Sequence, residues 1–392
     1  MISFDNTEIA FSYKSDKELK RAYTMFKLVG KSWLVQLGKK MVPIAFKLRL
    51  PINGLIKSTI FKQFCGGETI DDCDETIQTL FDNKVGTILD YSVEGKTEEV
   101  DFDATRDEIM ATIEKAKGNK AIPFAVFKVT GLSRHALLEK LNDINAEPTV
   151  LERAEFARVV DRINDICAHA HKSDCPIFID AEESWIQNTI DRVVEAMMAK
   201  YNQEKCIVYN TLQMYRHDRL EYLRNGISKA KREGYKFGGK LVRGAYMEKE
   251  RDRAAEMGYP SPIQPDKETC DIDFNEGIRL MVQEIEHCAL CCGTHNEESS
   301  LLLVDLLEEY GVAKDDKRVY FAQLLGMSDH ISFNLAHAGY QVAKYVPYGP
   351  VKEVMPYLLR RADENTSVAG QTGRELSLIS KEWKRRKGTK KK

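Results

Sequence analysis

A parallel (β/α)8 barrel of the TIM type with an N-terminal helical extension is the fold class this sequence predicts, and three observations carry it. Short apolar runs alternate with amphipathic segments, the period switching from 2 to 3.6 each time. Eight such runs fall between residues 87 and 346. Each ends in polar residues, as strands do where a ligand lies over the carboxyl ends of a barrel.

Taken in order, residues 1–82 read as a helical region. From Leu19 to Gly67 there is no Asp or Glu, while Lys20, Arg21, Lys27, Lys31, Lys39, Lys40, Lys47, Arg49, Lys57 and Lys62 interleave with Phe26, Leu28, Trp33, Leu34, Leu37, Phe46 and Leu50. Gly30, Pro43 and Pro51 are expected to break this stretch into short helices. It reads either as a basic amphipathic surface for anionic lipid or as a helical subdomain packed on the main body with its lysines solvated. The barrel spans 83–370, with strands expected at 87–91, 123–129, 176–181, 207–212, 240–245, 288–292, 319–324 and 340–346. Amphipathic segments at 154–169, 185–201, 219–231, 274–287 and 299–310 supply crossovers, which are right-handed between parallel strands. The seventh connection, 328–338, is short and poorly periodic. An eighth helix is expected at 351–366, after the turn at 347–350. Residues 371–392 read as a tail whose last part, KEWKRRKGTKKK, is basic.

The composition is that of an ordinary soluble protein: 43% hydrophobic, 30% charged and a net charge of -2 in 392 residues, without the basic excess of a nucleic-acid binder. The nine cysteines are odd in number and form no CxxC pair, which argues for reduced thiols of a cytosolic or matrix-like compartment over disulfides or a zinc ribbon. The first twenty residues lack the layout of a signal or transit peptide, and no apolar run approaches the roughly 18 residues of a membrane span.

The polar residues at the strand ends are Asp90, Lys128, Asp180, Gln213, Arg243 with Tyr246, the triplet Thr294-His295-Asn296, Gln323 and Tyr345. In a barrel they converge on one face. The sharpest change of character lies in 236–251, KFGGKLVRGAYMEKER, where an apolar run gives way to Arg243, Gly244, Ala245 and Tyr246. Its glycines precede the run, so this is not the dinucleotide turn G-x-G-x-x-G, and a nucleotide cofactor has to be held by barrel loops. Arg360 and Arg361 reach one pocket only if their helix crosses the barrel mouth, where they would clamp a carboxylate with planar donors; otherwise they are a surface pair bridged to Asp363 and Glu364. Tyr246, Tyr345 and Tyr357 wall a small apolar substrate or belong to the core. No metal-ligand pattern is present.

At these residues the chain resembles the proline dehydrogenase family. The motifs are LVRGAY at 241–246 followed by Glu250 and Arg253, THN at 294–296, AQLLGM at 322–327, KYVPYGPVKEVMPYLLRRADEN at 344–365, IDAEESW at 179–185 and NTLQMY at 210–215, the likeness running from about Gly86 to Ser367. The resemblance implies a distorted (β/α)8 barrel with the eighth helix over the mouth, and FAD-dependent oxidation of L-proline to Δ1-pyrroline-5-carboxylate. It implies that Arg360 and Arg361 hold the carboxylate, that Tyr246, Tyr345, Tyr357 and Leu241 wall the ring, and that Lys128 and Asp180 stand beside the amine and the flavin, with Asp180, Lys240 and Lys128 the catalytic group. FAD would contact Asp180, Ala181, Gln213, Lys240, Val242, Arg243, Gly244, Ala245, Thr294, His295, Asn296 and Gln323. Glu94 resembles the family's acidic gate. Many relatives have Arg where Lys240 stands, bifunctional bacterial relatives have Trp in place of Met247, and the spacing from Gln323 to Gly326 differs by one from some relatives. The first 80 or so residues match the family weakly.

The reaction needs a neutral amine, a ring carbon aimed at flavin N5 and a pinned carboxylate. With no second redox domain in the chain, a quinone-type acceptor is expected, which gives the basic N-terminal stretch a use in peripheral membrane association. The location that follows is a bacterial cytoplasm or a mitochondrial matrix, peripheral on the inner membrane. The alternatives are a hydroxyproline dehydrogenase of the same family, disfavoured by Tyr345 where such relatives have a small residue, a Schiff-base aldolase using Lys128, and a non-catalytic lipid-bound barrel.

Overall fold

The computed structural model describes residues 2–48, 50–93, 97–367 and 371–389. Eight parallel strands close in sequence order into a barrel: β1 (Gly86–Tyr91), β2 (Phe124–Lys128), β3 (Ile177–Asp180), β4 (Val208–Gln213), β5 (Phe237–Val242), β6 (Cys288–Gly293), β7 (Val319–Leu324) and β8 (Val342–Tyr348). By compactness the chain forms two units, Gly95–Ala322, and Met1–Glu94 together with Gln323–Lys392. The linear division at 82 and 370 does not follow these units.

In the unit Gly95–Ala322, inward-facing rings form one layer. Phe124 stacks on Phe178 with centroids 4.3 Å apart and meets Tyr209 at 5.6 Å and Tyr320 at 4.8 Å edge-on. Such pairs add to burial because ring edges and faces carry opposite partial charge. The crossover helices start where the sequence supplies caps. Thr149 opens Val150–Lys172 with a reciprocal capping box to Glu152, which satisfies two otherwise orphaned backbone donors.

Two strands lie elsewhere than the sequence suggests. β5 runs over Phe237–Val242 instead of 240–245 because its glycine pair is inside the strand. A Cβ on Gly238 would stand 2.5 Å from the Val208 carbonyl oxygen, and one on Gly239 2.8 Å from Met281 Cε. β8 extends through Pro347 to Tyr348, two residues beyond the expected end. The Pro347 carbonyl accepts from the Gly66 amide at 2.9 Å.

In the other unit, the Asp16–Val29 helix begins at a Ser15–Glu18 capping box. The Ser32–Lys47 helix continues through Pro43, where a break was expected, at the cost of one backbone hydrogen bond. The connection read as poorly periodic is a helix, Asp329–His337, whose residues 329–336 are all buried. Burial on every side removes the polar face that would have marked its period. Residues read as a tail form the Gln371–Thr389 helix. Its Leu378 and Ile379 are buried with Ala10, Phe11, Leu19, Ala22 and Phe26. The eighth helix is Met355–Ser367.

Candidate functional site

Register explains the central group of charges. Lys128 at the end of β2 pairs with Asp180 at the end of β3; Ile179 pairs with Asn210, and Thr211 with Lys240 of β5. Lys128, Asp180 and Lys240 therefore stand at one level. Asp180 is ion-paired with Lys240, and its Oδ2 is 3.9 Å from Lys128 Nζ. Lys240 is 4% exposed, and its ammonium lies 5.1 Å from the Phe178 ring centroid, within cation–π range. Lys240 is thus nearly buried, while Lys128 and Asp180 keep 18% and 14% side-chain exposure above the aromatic layer.

The backbone beyond β5 is bare. Gly244 and Ala245 are exposed. Gly244 has a φ of 136°, and a Cβ there would meet the Tyr215 ring at 2.6 Å. Only glycine fits. Ala181 follows Asp180 half-buried, and Tyr246 caps the Met247–Met257 helix half-buried.

Other predicted residues are engaged within the fold. Arg243 donates from Nε to Asp271 at 2.6 Å, from one terminal nitrogen to Thr294 Oγ1 at 2.7 Å and from the other to Ser299 Oγ at 3.0 Å, while its guanidinium covers Phe274 at 4.3 Å. It positions Thr294. Asn296 caps the Glu297–Glu309 helix by accepting from the Ser299 amide at 2.9 Å. His295 between them is half-buried. The Val242 carbonyl accepts from the Met214 amide at 2.8 Å. Period-2 alternation turns Leu241 away from Lys240 and Val242, toward the Lys267–Gln283 helix, where its Cδ1 lies 3.1 Å from the place of a Cβ on Gly277. A residue on that face does not wall the same space as Lys240.

Sequence reasoning missed Glu182, although it sits in the quoted IDAEESW motif. It is 4% exposed, and its carboxyl accepts from both the amide and the hydroxyl of Thr130, two residues beyond Lys128. Its own carbonyl accepts from Gln213 Nε2 at 2.6 Å, and its amide donates to Gln187 at 2.8 Å. One residue thus ties together the ends of β2, β3 and β4. Burial pushes the carboxyl up to about 7; the Thr130 hydrogen bonds oppose this, Glu183 adds to it and Lys128 opposes it. Because the folded state holds this proton more tightly than the unfolded chain, stability is lost as pH rises from the ordinary glutamate value toward 7. Glu182→Gln imitates the protonated acid. Urea unfolding at pH 5 and pH 8 is expected to show wild type losing on the order of 3 kcal/mol across this window and the variant losing far less.

In the second unit, Arg361 is 7% exposed and its guanidinium lies 5.0 Å from the Tyr357 ring centroid. Arg360 is half-buried on the same Met355–Ser367 helix. Tyr345 on β8 is 8% exposed, and Gln323 accepts from Ser332 Oγ at 2.8 Å. Glu94 and the side chains of Asp363 and Glu364 lie outside the described residues. All nine cysteines are buried, and none is in a disulfide. Among the described residues no group of three or more His, Cys, Asp or Glu could hold a metal ion, and no helix is long and apolar enough to cross a membrane.

The family model for proline dehydrogenase matches residues 73–374. Proline dehydrogenase 1 of Dictyostelium discoideum is 32% identical over 98% of this chain and 75% of its own length, and hydroxyproline dehydrogenase of Xenopus laevis is 30% identical over 96% and 88%. Proline utilization A of Bdellovibrio bacteriovorus, inactivated by N-propargylglycine, superposes with a TM-score of 0.73 over 95% of this chain at 18% identity, which is a likeness of fold. This chain spans 40% of that protein's length.

Proposed function

Because the chain belongs to the proline dehydrogenase family, we propose that it oxidises L-proline to Δ1-pyrroline-5-carboxylate with FAD as cofactor. The observation that carries the reading is the Lys128–Asp180–Lys240 group at one level of the barrel. Bare backbone at Gly244 and Ala245, a buried cation at Lys240 and donors at Thr294, His295 and Gln213 fit a flat, hydrogen-bonding ring that becomes negative on reduction. When bound there, FAD supplies the two-electron acceptor.

The chain's own residues do the rest. Arg360 and Arg361 hold the substrate carboxylate, because a planar fork fixes orientation where a single ammonium would not. Tyr345, Tyr357 and Tyr246 wall the ring. Lys128 and Asp180 face the amine, which must lose its proton as hydride leaves the adjacent ring carbon and a C=N bond forms. Lys240 stabilises the negative charge that arises on the acceptor side, and Ala181, Val242, Arg243, Asn296 and Gln323 shape or brace the cofactor's surroundings. The electrons pass on to a quinone-type acceptor in a bilayer. The Dictyostelium relative is mitochondrial by name, and we place this chain in a mitochondrial matrix or a bacterial cytoplasm, peripheral to the membrane.

The Xenopus relative makes hydroxyproline the second candidate substrate. Tyr345, bulky and buried, opposes a ring hydroxyl. Proline-dependent dye reduction is expected with kcat/KM for L-proline at least about tenfold above that for hydroxyproline, the order a pocket contact supplies. Equal values would remove the preference, and no turnover of either would remove the reading.

A further inference from the structure

The Ser32–Lys47 helix is apolar on two opposite sides. One side is covered: Val35 is buried with Met25, Val29 and Ala362, and the partly buried Val42 and Phe46 pack against the cluster that includes Met355, Tyr357 and Leu358. The other is bare. Trp33, Leu37, Met41, Ile44 and Leu48 recur at the i, i+4, i+8, i+11 and i+15 positions of a single face and are 63%, 49%, 52%, 49% and 65% exposed. A helix that is hydrophobic around most of its circumference is normally covered on all sides. Isolated exposed leucines need no explanation, but five large side chains in one row do.

Charge identifies the cover. Lys40 and Lys47, both exposed, fall along one edge of the row, Lys27 and Lys31 are exposed where the chain enters the helix, and no acidic residue occurs between Leu19 and Gly67. A second copy docked through the same face would set these lysines against their own equivalents. An anionic partner is favoured instead. A helix of this length extends about 24 Å, with Trp33 near its start and lysines beside its apolar row, which is how a helix lies in a lipid headgroup layer.

We propose that the exposed face of the Ser32–Lys47 helix docks on the anionic surface of a lipid bilayer. This deepens the quinone reading above, but the docking needs neither proline nor flavin. The buried side of the same helix packs on the helix that carries Arg360 and Arg361, so the membrane-facing surface and the carboxylate-binding helix are back to back.

The test uses the full flavin-loaded chain and sedimentation with vesicles of phosphatidylcholine alone or mixed with phosphatidylglycerol. Wild type is expected to pellet with the mixed vesicles at low salt and to be released by high salt. Lys40→Glu with Lys47→Glu is expected to weaken partitioning by at least about tenfold, since each basic residue contributes of order a factor of five near an anionic surface. Leu37→Ser with Ile44→Ser is expected to weaken it comparably; these side chains are exposed, so proline-dependent dye reduction should be retained. Equal pelleting with both vesicle types, unchanged partitioning in both variants, or wild type remaining in the supernatant would overturn the proposal. So would light scattering that shows a wild-type dimer lost in the serine variant, which would give the face to a second copy.

Discussion

Arg361→Met is expected to raise KM for L-proline by roughly thirty-fold to several thousand-fold while lowering kcat much less. The magnitude follows from truncating one partner of a desolvated charge pair, about 2–5 kcal/mol. Arg361 is nearly buried, with its guanidinium 5.0 Å from the Tyr357 ring centroid, so the site is dry enough for that full cost. The split between KM and kcat follows because the carboxylate is held alike before and during hydride loss. Arg360→Lys keeps the charge but loses the fork, and an intermediate KM is expected. Steady-state dye reduction across a proline series measures both. An unchanged KM in Arg361→Met would remove the arginine from substrate binding.

The largest effect on stability is expected from Lys344→Met. Lys344 on β8 is fully buried, with its ammonium 3.0 Å from Asp329 Oδ1 and 2.7 Å from the Met327 carbonyl. Asp329 in turn accepts from the Tyr13 hydroxyl at 2.7 Å and lies 3.3 Å from Lys14. Burial alone would raise the Asp329 carboxyl; Lys14 and Lys344 outweigh it and hold the group well below the usual carboxylate range. Removing Lys344 leaves this carboxylate in the interior with half its compensation, a loss of about 3–5 kcal/mol. Urea unfolding at neutral pH measures it. Asp329 contributes stability above the unfolded carboxylate value and loses it as pH falls below, so wild type is expected to weaken in acid. A loss under about 1 kcal/mol in the variant would mean the pair is solvated.

What could be read from the chain was what depends on local period. All eight strands were legible, because alternation and terminal polar residues are properties of neighbours along the sequence. The placement of β5 was not: Gly238 and Gly239 look like a loop, and only Val208 and Met281, distant in sequence, show that those positions must lack a Cβ. The same limit hid Glu182, whose partner Thr130 lies 52 residues away, and the Asp329–Lys344 pair, whose helix showed no polar face. Which face of β5 Leu241 occupies was likewise not legible, since it follows from where that strand begins. Lys128 and Asp180 were legible as strand-end charges, whereas Lys240 was expected to open the fifth strand, and only register shows that it stands level with them. The basic N-terminal stretch was visible as composition, but not which side of its helix is bare.

The most direct measurement is the visible spectrum of the purified, flavin-loaded chain under anaerobic conditions, before and after L-proline. Loss of the yellow colour on adding proline, with Arg361→Met requiring far more proline for the same loss, is the expected result. A yellow protein whose colour proline leaves unchanged would contradict the account.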